Sequence, residues 1–121
     1  MYRLFAGIDV PDSIAQQLLG LCGGVPGARW RRPNQFHLTL RFIGNVDGGT
    51  FDDARYALAR VGGAALDLQL NGVGNFGEGR RARAIWAGLV ENQALVAIQT
   101  RIESALVRAG LDPEPRKFKP H

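Results

Sequence analysis

The chain has 121 residues, of which 45% are hydrophobic and 21% are charged, and this composition is ordinary for one small globular domain. Its single cysteine excludes an internal disulfide, and two histidines are too few for the usual zinc clusters, so we expect no metal site. No apolar run is long enough to span a bilayer and the first residues do not resemble a secretory signal, so we expect a cytoplasmic protein.

The 15 basic residues outnumber the 11 acidic ones, and the formal charge of +4 favours a phosphate-bearing partner, most simply RNA. Nine of the 15 basic side chains occur in three clusters, and each cluster lies next to a predicted strand. For any single arginine, a solvated position in a loop is the alternative interpretation. The clusters are Arg29, Arg31 and Arg32; Arg80, Arg81 and Arg83; and Arg116, Lys117 and Lys119.

The first half of the chain predicts two strands that alternate with two helices. Apolar and polar residues alternate at period two in both predicted strands. Pro11 suits the start of the first helix, and Thr50 is the expected N-cap of the second. The predicted elements are strands at 2–9 and 36–44 and helices at 11–22 and 51–60.

The second half predicts strands on either side of a glycine- and arginine-rich loop, then a helix and a stiff connector. Apolar residues recur at helical spacing before Gly110, which ends the helix, and Pro113 and Pro115 stiffen the connector. The predicted elements are strands at 66–70 with a possible continuation at 73–76, a loop at 77–83, a strand at 84–90, a helix at 94–109 and the start of a strand at 117–121.

The central strand carries the polar side chains that first suggest a function. An imidazole, a hydroxyl and a guanidinium in a row on a rigid strand would suit an anionic group such as a phosphate. A partly buried histidine with a satisfied hydrogen bond is the plainer alternative. Alternation predicts His37, Thr39 and Arg41 on one face and Leu38, Leu40 and Phe42 on the other.

Two parts of the chain repeat the same pattern. Residues Leu4–Ile8 match Ile85–Leu89 position for position as aliphatic, aromatic, Ala, Gly and aliphatic. Each is followed by a predicted helix, a basic connector with proline, and a histidine. From the aromatic residue to that histidine is 32 residues in the first copy and 35 in the second, so His37 and His121 are equivalent.

This repeat predicts two pseudo-symmetric β-α-β lobes, at about 2–44 and 84–121, within one domain spanning 1–121. We expect the two histidines to face each other across a cleft. With an unperturbed pKa of about 6.5, one imidazole can accept a proton from water while another donates one to a leaving oxygen. Such a pair can hydrolyse a phosphodiester.

Four stretches together, Arg3–Asp9, Arg29–Gly44, Ile85–Gly88 and Phe118–His121, resemble the 2H phosphoesterases, which are named for two His-x-Thr-x motifs. The resemblance is greatest to the RNA 2′,3′-cyclic 3′-phosphodiesterases, also called 2′-5′ RNA ligases. It implies an α+β fold of two antiparallel-sheet lobes around a central cleft. It also implies that an RNA-terminal 2′,3′-cyclic phosphate is opened to a 2′-phosphate without a metal or nucleotide cofactor, with 2′-5′ joining as the reverse reaction.

By motif, the resemblance makes His37 the proton donor to the leaving 3′ oxygen, His121 the proton acceptor from water, and Thr39 a phosphate ligand. The family's second motif continues with a threonine and further strands, whereas this sequence ends at His121. We therefore expect an incomplete second lobe and lower activity than in a longer form.

Four further residues are candidate substrate contacts. Phe5 and Trp86 are expected to stack on the terminal base, with a place in the core as the alternative. Arg41 is expected to line the cleft and Arg83 to grip the RNA backbone. Two other functions stay open: an RNA-binding module without turnover, and a 2H enzyme acting on a small cyclic nucleotide.

Overall fold

The computed structural model describes residues 1–63, 65–77 and 84–121. Its architecture is α+β, with four strands and three α-helices in the described residues. The strands are β1 (Tyr2–Asp9), β2 (His37–Val46), β3 (Leu70–Phe76) and β4 (Ala84–Leu89); the helices are α1 (Asp12–Leu19), α2 (Gly48–Ala59) and α3 (Gln93–Arg108), and a 3-10 turn (Pro33–Gln35) precedes β2.

The strands form two separate antiparallel pairs. β1 pairs with β2, with Asp9 opposite His37, and β3 pairs with β4, with Phe76 opposite Ala84. The predicted α+β fold with antiparallel sheets is therefore confirmed. Residues 78–83 of the predicted loop, which include Arg80, Arg81 and Arg83, lie outside the described residues.

The hydrophobic core lies between the β1–β2 sheet and the helices α2 and α3. Leu38 and Leu40 point inward from β2, as the alternation predicts. Removing a leucine side chain from water contributes about 1.5–3 kcal/mol, so these inward positions hold the sheet against the helices. The other buried members of the cluster are Ala54, Leu95, Ile102 and Leu106.

The second helix begins earlier than the sequence predicts. β2 runs to Val46, and the side chain of Asp47 accepts a hydrogen bond from the Thr50 backbone N–H at 2.8 Å. Asp47 is therefore the N-cap, and the prediction that Thr50 fills this position is wrong. The hydrogen bond from Thr50 lowers the pKa of the Asp47 carboxyl because it stabilises the charged form.

A β-bulge interrupts the alternation of β2. Arg41 lies opposite Ala6, but Thr39 lies opposite Gly7, so Leu40 is an extra residue on this strand. The bulge places Leu40 and Arg41, which are consecutive, both toward the core. Arg41 and Phe42 therefore change face relative to the simple alternation, and a second register shift, at Ile43 between Phe42 and Gly44, restores the original phase.

This change of face corrects two sequence predictions. Arg41 is 6% exposed and does not share the outer face with His37. Phe42, predicted to point into the core, is instead 39% exposed on the side of His37. The prediction that Arg41 lines the cleft is therefore wrong, because its geometric basis is absent.

Two predicted strands also differ from those observed. β3 begins at Leu70, and residues 65–69 are not in a strand. Residues 117–121 are not in a strand either, and Pro120 has no N–H to donate to a ladder. None of the helices in the described ranges is long and apolar enough to cross a bilayer.

Candidate active site

His37 is held at the start of β2 by one hydrogen bond and one aromatic contact. Its Nδ1 lies 2.8 Å from the carbonyl oxygen of Gln35, and its ring centroid lies 4.6 Å from that of Phe5 at an interplanar angle of 30°. A carbonyl oxygen only accepts, so Nδ1 carries the hydrogen in this bond. The exposed imidazole is left with Nε2 to exchange a proton.

His121 has the same kind of surroundings. Its Nδ1 lies 2.6 Å from the carbonyl oxygen of Lys119, again two residues earlier in the chain. Its ring centroid lies 5.8 Å from Trp86 and 5.1 Å from Phe76, which meets it edge-on at 82°. The hydrogen bond fixes the same tautomer as at His37, so Nε2 is again the nitrogen available for proton exchange.

A glycine lies two residues after each aromatic residue, beside its ring. A Cβ on Gly7 would lie 3.1 Å from the Phe5 ring, and a Cβ on Gly88 would lie 3.5 Å from the Trp86 ring. Each would also press on the neighbouring strand, at 2.9 Å from a carbonyl oxygen for Gly7 and 2.6 Å for Gly88. The feature common to Gly7 and Gly88 is therefore the close approach of the neighbouring strand, and Gly7 in addition leaves room for the Phe5 ring.

Trp86 lies flat across β3, where a Cβ on Gly74 would overlap its indole ring. One face of the indole is thus covered by the sheet, and the ring lies beside His121 at a tilt of 53°. Phe5 contacts His37 but is 48% exposed. That either ring also stacks on a base stays a prediction.

Thr39 shares the outer face of β2 with His37, on the near side of the bulge. Its cross-strand neighbour is Gly7, which has no side chain to cover the hydroxyl. The sequence prediction for the relative placement of His37 and Thr39 is confirmed, and the role of Thr39 as a phosphate ligand stays a prediction.

Arg41 links three parts of the structure behind the site. Its Nε donates to a carboxylate oxygen of Glu103 on α3 at 3.0 Å, and its Nη1 donates to the carbonyl oxygen of Phe42 at 3.0 Å. Its Nη2 donates to the carbonyl oxygen of Asp112, in the segment that leads to His121. The guanidinium is therefore satisfied by the protein itself.

The segments that lead into the two histidines are each held by a local side-chain hydrogen bond. Before His37, the side-chain oxygen of Gln35 accepts from the backbone N–H of Arg32 at 2.9 Å. In the other segment, Glu114 accepts from the backbone N–H of Arg116 at 3.1 Å and from its Nε at 2.9 Å. The Arg116 hydrogen bonds lower the pKa of Glu114 to about 2.

Exposed basic side chains accompany both segments. These side chains precede His37 or His121 by only a few residues in the chain. Positive charge is therefore concentrated in both segments. The described members are Arg29, Arg31, Arg32, Arg116, Lys117 and Lys119, whereas Arg83 lies outside the described residues.

Sequence reasoning missed two aromatic residues that lie near the histidines or on their face. Phe42 was missed because the bulge that exposes it depends on pairing with β1. Phe76 lies 45 residues before His121 in the chain, and no pattern in the sequence links the two. The repeat did signal Gly7 and Gly88, without showing what they accommodate.

The profile of the LigT-like phosphoesterases matches residues 8–86. An RNA 2′,3′-cyclic phosphodiesterase of Geobacillus stearothermophilus is 32% identical over 129 residues, covering 100% of this chain and 41% of that protein. One of Archaeoglobus fulgidus is 29% identical, covering 98% of this chain and 69% of that protein. The chain thus spans between about two fifths and two thirds of these relatives.

Solved structures agree with the sequence comparison. The crystal structure of a phosphoesterase superposes with a TM-score of 0.84 at 27% identity, covering 98% of this chain and 69% of that one. The matched profile includes β2 with His37 and Thr39 and extends to Trp86. The chain belongs to the LigT-like phosphoesterase family, one of the 2H phosphoesterases, as its resemblance predicted.

Proposed function

We propose that this protein hydrolyses the terminal 2′,3′-cyclic phosphate of RNA to a 2′-phosphomonoester, with His37 and His121 as the acid and base. One observation carries the proposal: both imidazoles bond through Nδ1 to a carbonyl two residues earlier and rest against an aromatic ring. Both therefore offer Nε2 for proton transfer. The relatives named RNA 2′,3′-cyclic phosphodiesterase support this substrate.

The proposed reaction is an in-line displacement at phosphorus. Neutral His121 accepts a proton from water through Nε2, and the oxygen of that water forms a bond to phosphorus. The bond from phosphorus to the 3′ oxygen breaks, and protonated His37 donates its Nε2 proton to that oxygen. The products are a 2′-phosphate and a free 3′ hydroxyl, and proton exchange with solvent restores both imidazoles.

Thr39 is the proposed ligand of a non-bridging phosphate oxygen, since its hydroxyl lies on the face of His37. Nearby exposed arginines and lysines add positive charge where negative charge develops in the transition state. The two imidazoles carry both proton transfers, so we propose that neither a metal ion nor a nucleotide cofactor takes part. Activity should then persist in EDTA.

This scheme needs the two histidines on opposite sides of one phosphate. We propose that units 2–44 and 84–121 are copies related by a pseudo-two-fold axis, which would place them so. With the same acid and base roles, His121 would accept the proton of a 5′ hydroxyl in place of water, that oxygen would bond to phosphorus as the 3′ oxygen leaves with the proton of His37, and the product would be a 2′-5′ linkage. Hydrolysis is the direction to test first, because water is the more abundant nucleophile.

The test is the opening of a short RNA that ends in a 2′,3′-cyclic phosphate, followed by 31P NMR, which separates the cyclic phosphate from a 2′-phosphate. His37→Ala and His121→Ala should each lower kcat by about 10²–10⁴-fold, the usual contribution of general acid–base catalysis. The control is Gln17→Ala, on the exposed surface of α1, which should keep the rate.

Circular dichroism establishes that each variant is folded. If either histidine variant is folded and keeps more than a tenth of the original rate, the two-histidine mechanism is wrong. If the protein binds the RNA but none of the forms opens the cyclic phosphate, the protein is an RNA-binding module instead.

A further inference from the structure

We propose that the outer face of the β1–β2 sheet, beyond Thr39, binds the nucleotide that precedes the terminal one, with Phe42 under its base and Arg3 beside its phosphate. The substrate class is then an RNA of at least two nucleotides. This inference rests on the proposed function, since the cyclic phosphate must lie at His37.

Two aromatic side chains lie directly opposite each other on this face. Phe5 of β1 pairs with Phe42 of β2, and their exposed fractions are 48% and 39%. The bulge at Leu40 turns Phe42 out of the core, where simple alternation would have left it. A large aromatic ring exposed beside a candidate active site is suited to stacking with a base, whose π-face every nucleotide offers.

A positive charge completes this site. The guanidinium of Arg3 lies 5.4 Å from the centroid of the Phe42 ring, in cation–π geometry. No carboxylate of the described residues pairs with Arg3. The guanidinium can therefore leave the ring for a phosphate when a base stacks on Phe42, so ring and charge match two parts of one nucleotide.

The spacing along the strand selects which nucleotide binds there. Because Leu40 is bulged, Thr39 and Phe42 lie opposite Gly7 and Phe5, two positions apart on β1 or about 7 Å along the strand. The Phe42 ring leans further from Thr39, since a Cβ on Gly44 would lie 3.9 Å from it. Because Thr39 is the proposed ligand of the cyclic phosphate, a base attached to the same ribose would lie nearer to Phe5 and His37. The next base along the RNA is the one that would reach Phe42.

The experiment compares two substrates with the same terminal nucleoside, a 2′,3′-cyclic mononucleotide and a dinucleotide that ends in the same cyclic phosphate. We expect kcat/KM to be about 10-fold higher for the dinucleotide, an ordinary effect of one stacked base. Phe42→Ala should bring the ratio of the two values toward one, and Phe42→Tyr should keep it, because tyrosine retains the ring. If Phe42→Ala does not fold, Phe42→Leu keeps the apolar volume and removes the π-face.

The matched control is Tyr56→Ala. Tyr56 is an aromatic residue on α2 that is 67% exposed, and the guanidinium of Arg60 lies 5.6 Å from its ring, as Arg3 does at Phe42. Unlike Phe42, Tyr56 lies on a helix, away from the sheet face that carries His37. Tyr56→Ala should leave the ratio of the two substrates unchanged.

Arg3→Gln tests the charge separately. Loss of one phosphate contact should reduce the slope of log(kcat/KM) against log[salt] by about 0.7 for the dinucleotide.

Equal kcat/KM values for the two substrates in the unsubstituted protein would overturn this inference and leave the proposed function standing. Opening of neither substrate would overturn the proposed function, and this inference with it.

Discussion

The two histidines of this protein have the same immediate contacts in different structural settings. His37 begins a paired strand and its ring is tilted by 30° to that of Phe5, whereas His121 lies in a segment without strand structure, meets Phe76 edge-on and is tilted by 53° to Trp86. Each nevertheless bonds to a carbonyl two residues earlier. The comparison teaches that the short bond and the aromatic contact, and not the strand, hold each imidazole.

The hydrogen bonds that hold the two segments before the histidines differ in charge. Gln35 makes a neutral hydrogen bond before His37, and Glu114 makes a charged one before His121. Only the second can respond to pH. Arg41 joins the two regions, because it lies on the strand of His37 and donates to Asp112 in the segment of His121.

The largest expected effect comes from breaking this link. Arg41→Met should lower the free energy of unfolding by about 3 kcal/mol, because it leaves the carboxylate of Glu103 partly buried without its cation. Urea denaturation measures the change. The control Arg101→Met removes an exposed side chain that donates to one carbonyl, that of Gly62, and should cost less than about 1 kcal/mol. Equal losses for the two variants would contradict the role given to Arg41.

The next largest effect compares the glycine beside Phe5 with the glycine beside Trp86. Gly7→Ala and Gly88→Ala should each destabilise the protein by about 1–3 kcal/mol through overpacking. The loss should be larger for Gly88, whose added Cβ would meet a backbone oxygen at 2.6 Å compared with 2.9 Å at Gly7. Thermal unfolding followed by circular dichroism orders the two variants.

Gly20→Ala is the control for this pair, since its added Cβ would make only ordinary contacts of 3.4 Å or more. It should change the free energy of unfolding by less than about 1 kcal/mol. A Gly7→Ala variant as stable as Gly20→Ala would show that the carbonyl of Leu38 and the Phe5 ring both move aside without cost.

The smallest expected effect tests the difference between the charged hydrogen bond of Glu114 and the neutral one of Gln35. The folded pKa of Glu114 is about 2, below its ordinary 4.5, so this carboxylate adds stability above pH 4.5 that is lost as the pH falls toward 2. Because Arg116 is exposed, the contribution should stay below about 1 kcal/mol. Glu114→Gln should therefore destabilise the protein at pH 6 and less at pH 2.

Gln35→Ala is the counterpart on the other side, and it should lower stability by an amount that does not change between pH 6 and pH 2. Urea denaturation of both variants at the two pH values measures the difference. A pH-dependent loss in Gln35→Ala, or a constant one in Glu114→Gln, would contradict the assignment of the charged bond.

Several elements could be predicted because their signals are local. β1 has the predicted bounds, and α3 follows the predicted apolar spacing to within one residue at each end. The start of α2 was misplaced because both Asp47 and Thr50 are good N-caps. Choosing between them depends on where β2 ends, which its pairing with β1 decides.

By itself, the sequence determined the repeat, the two histidines and the outward position of His37 and Thr39, because spacing and alternation are properties of neighbouring residues. Only the tertiary structure decided that Arg41 is buried and Phe42 exposed. The bulge at Leu40 arises from register against β1, and Arg41 meets Glu103 from 62 residues away. No local pattern records either contact, and these two determine which side chains remain free to meet a substrate.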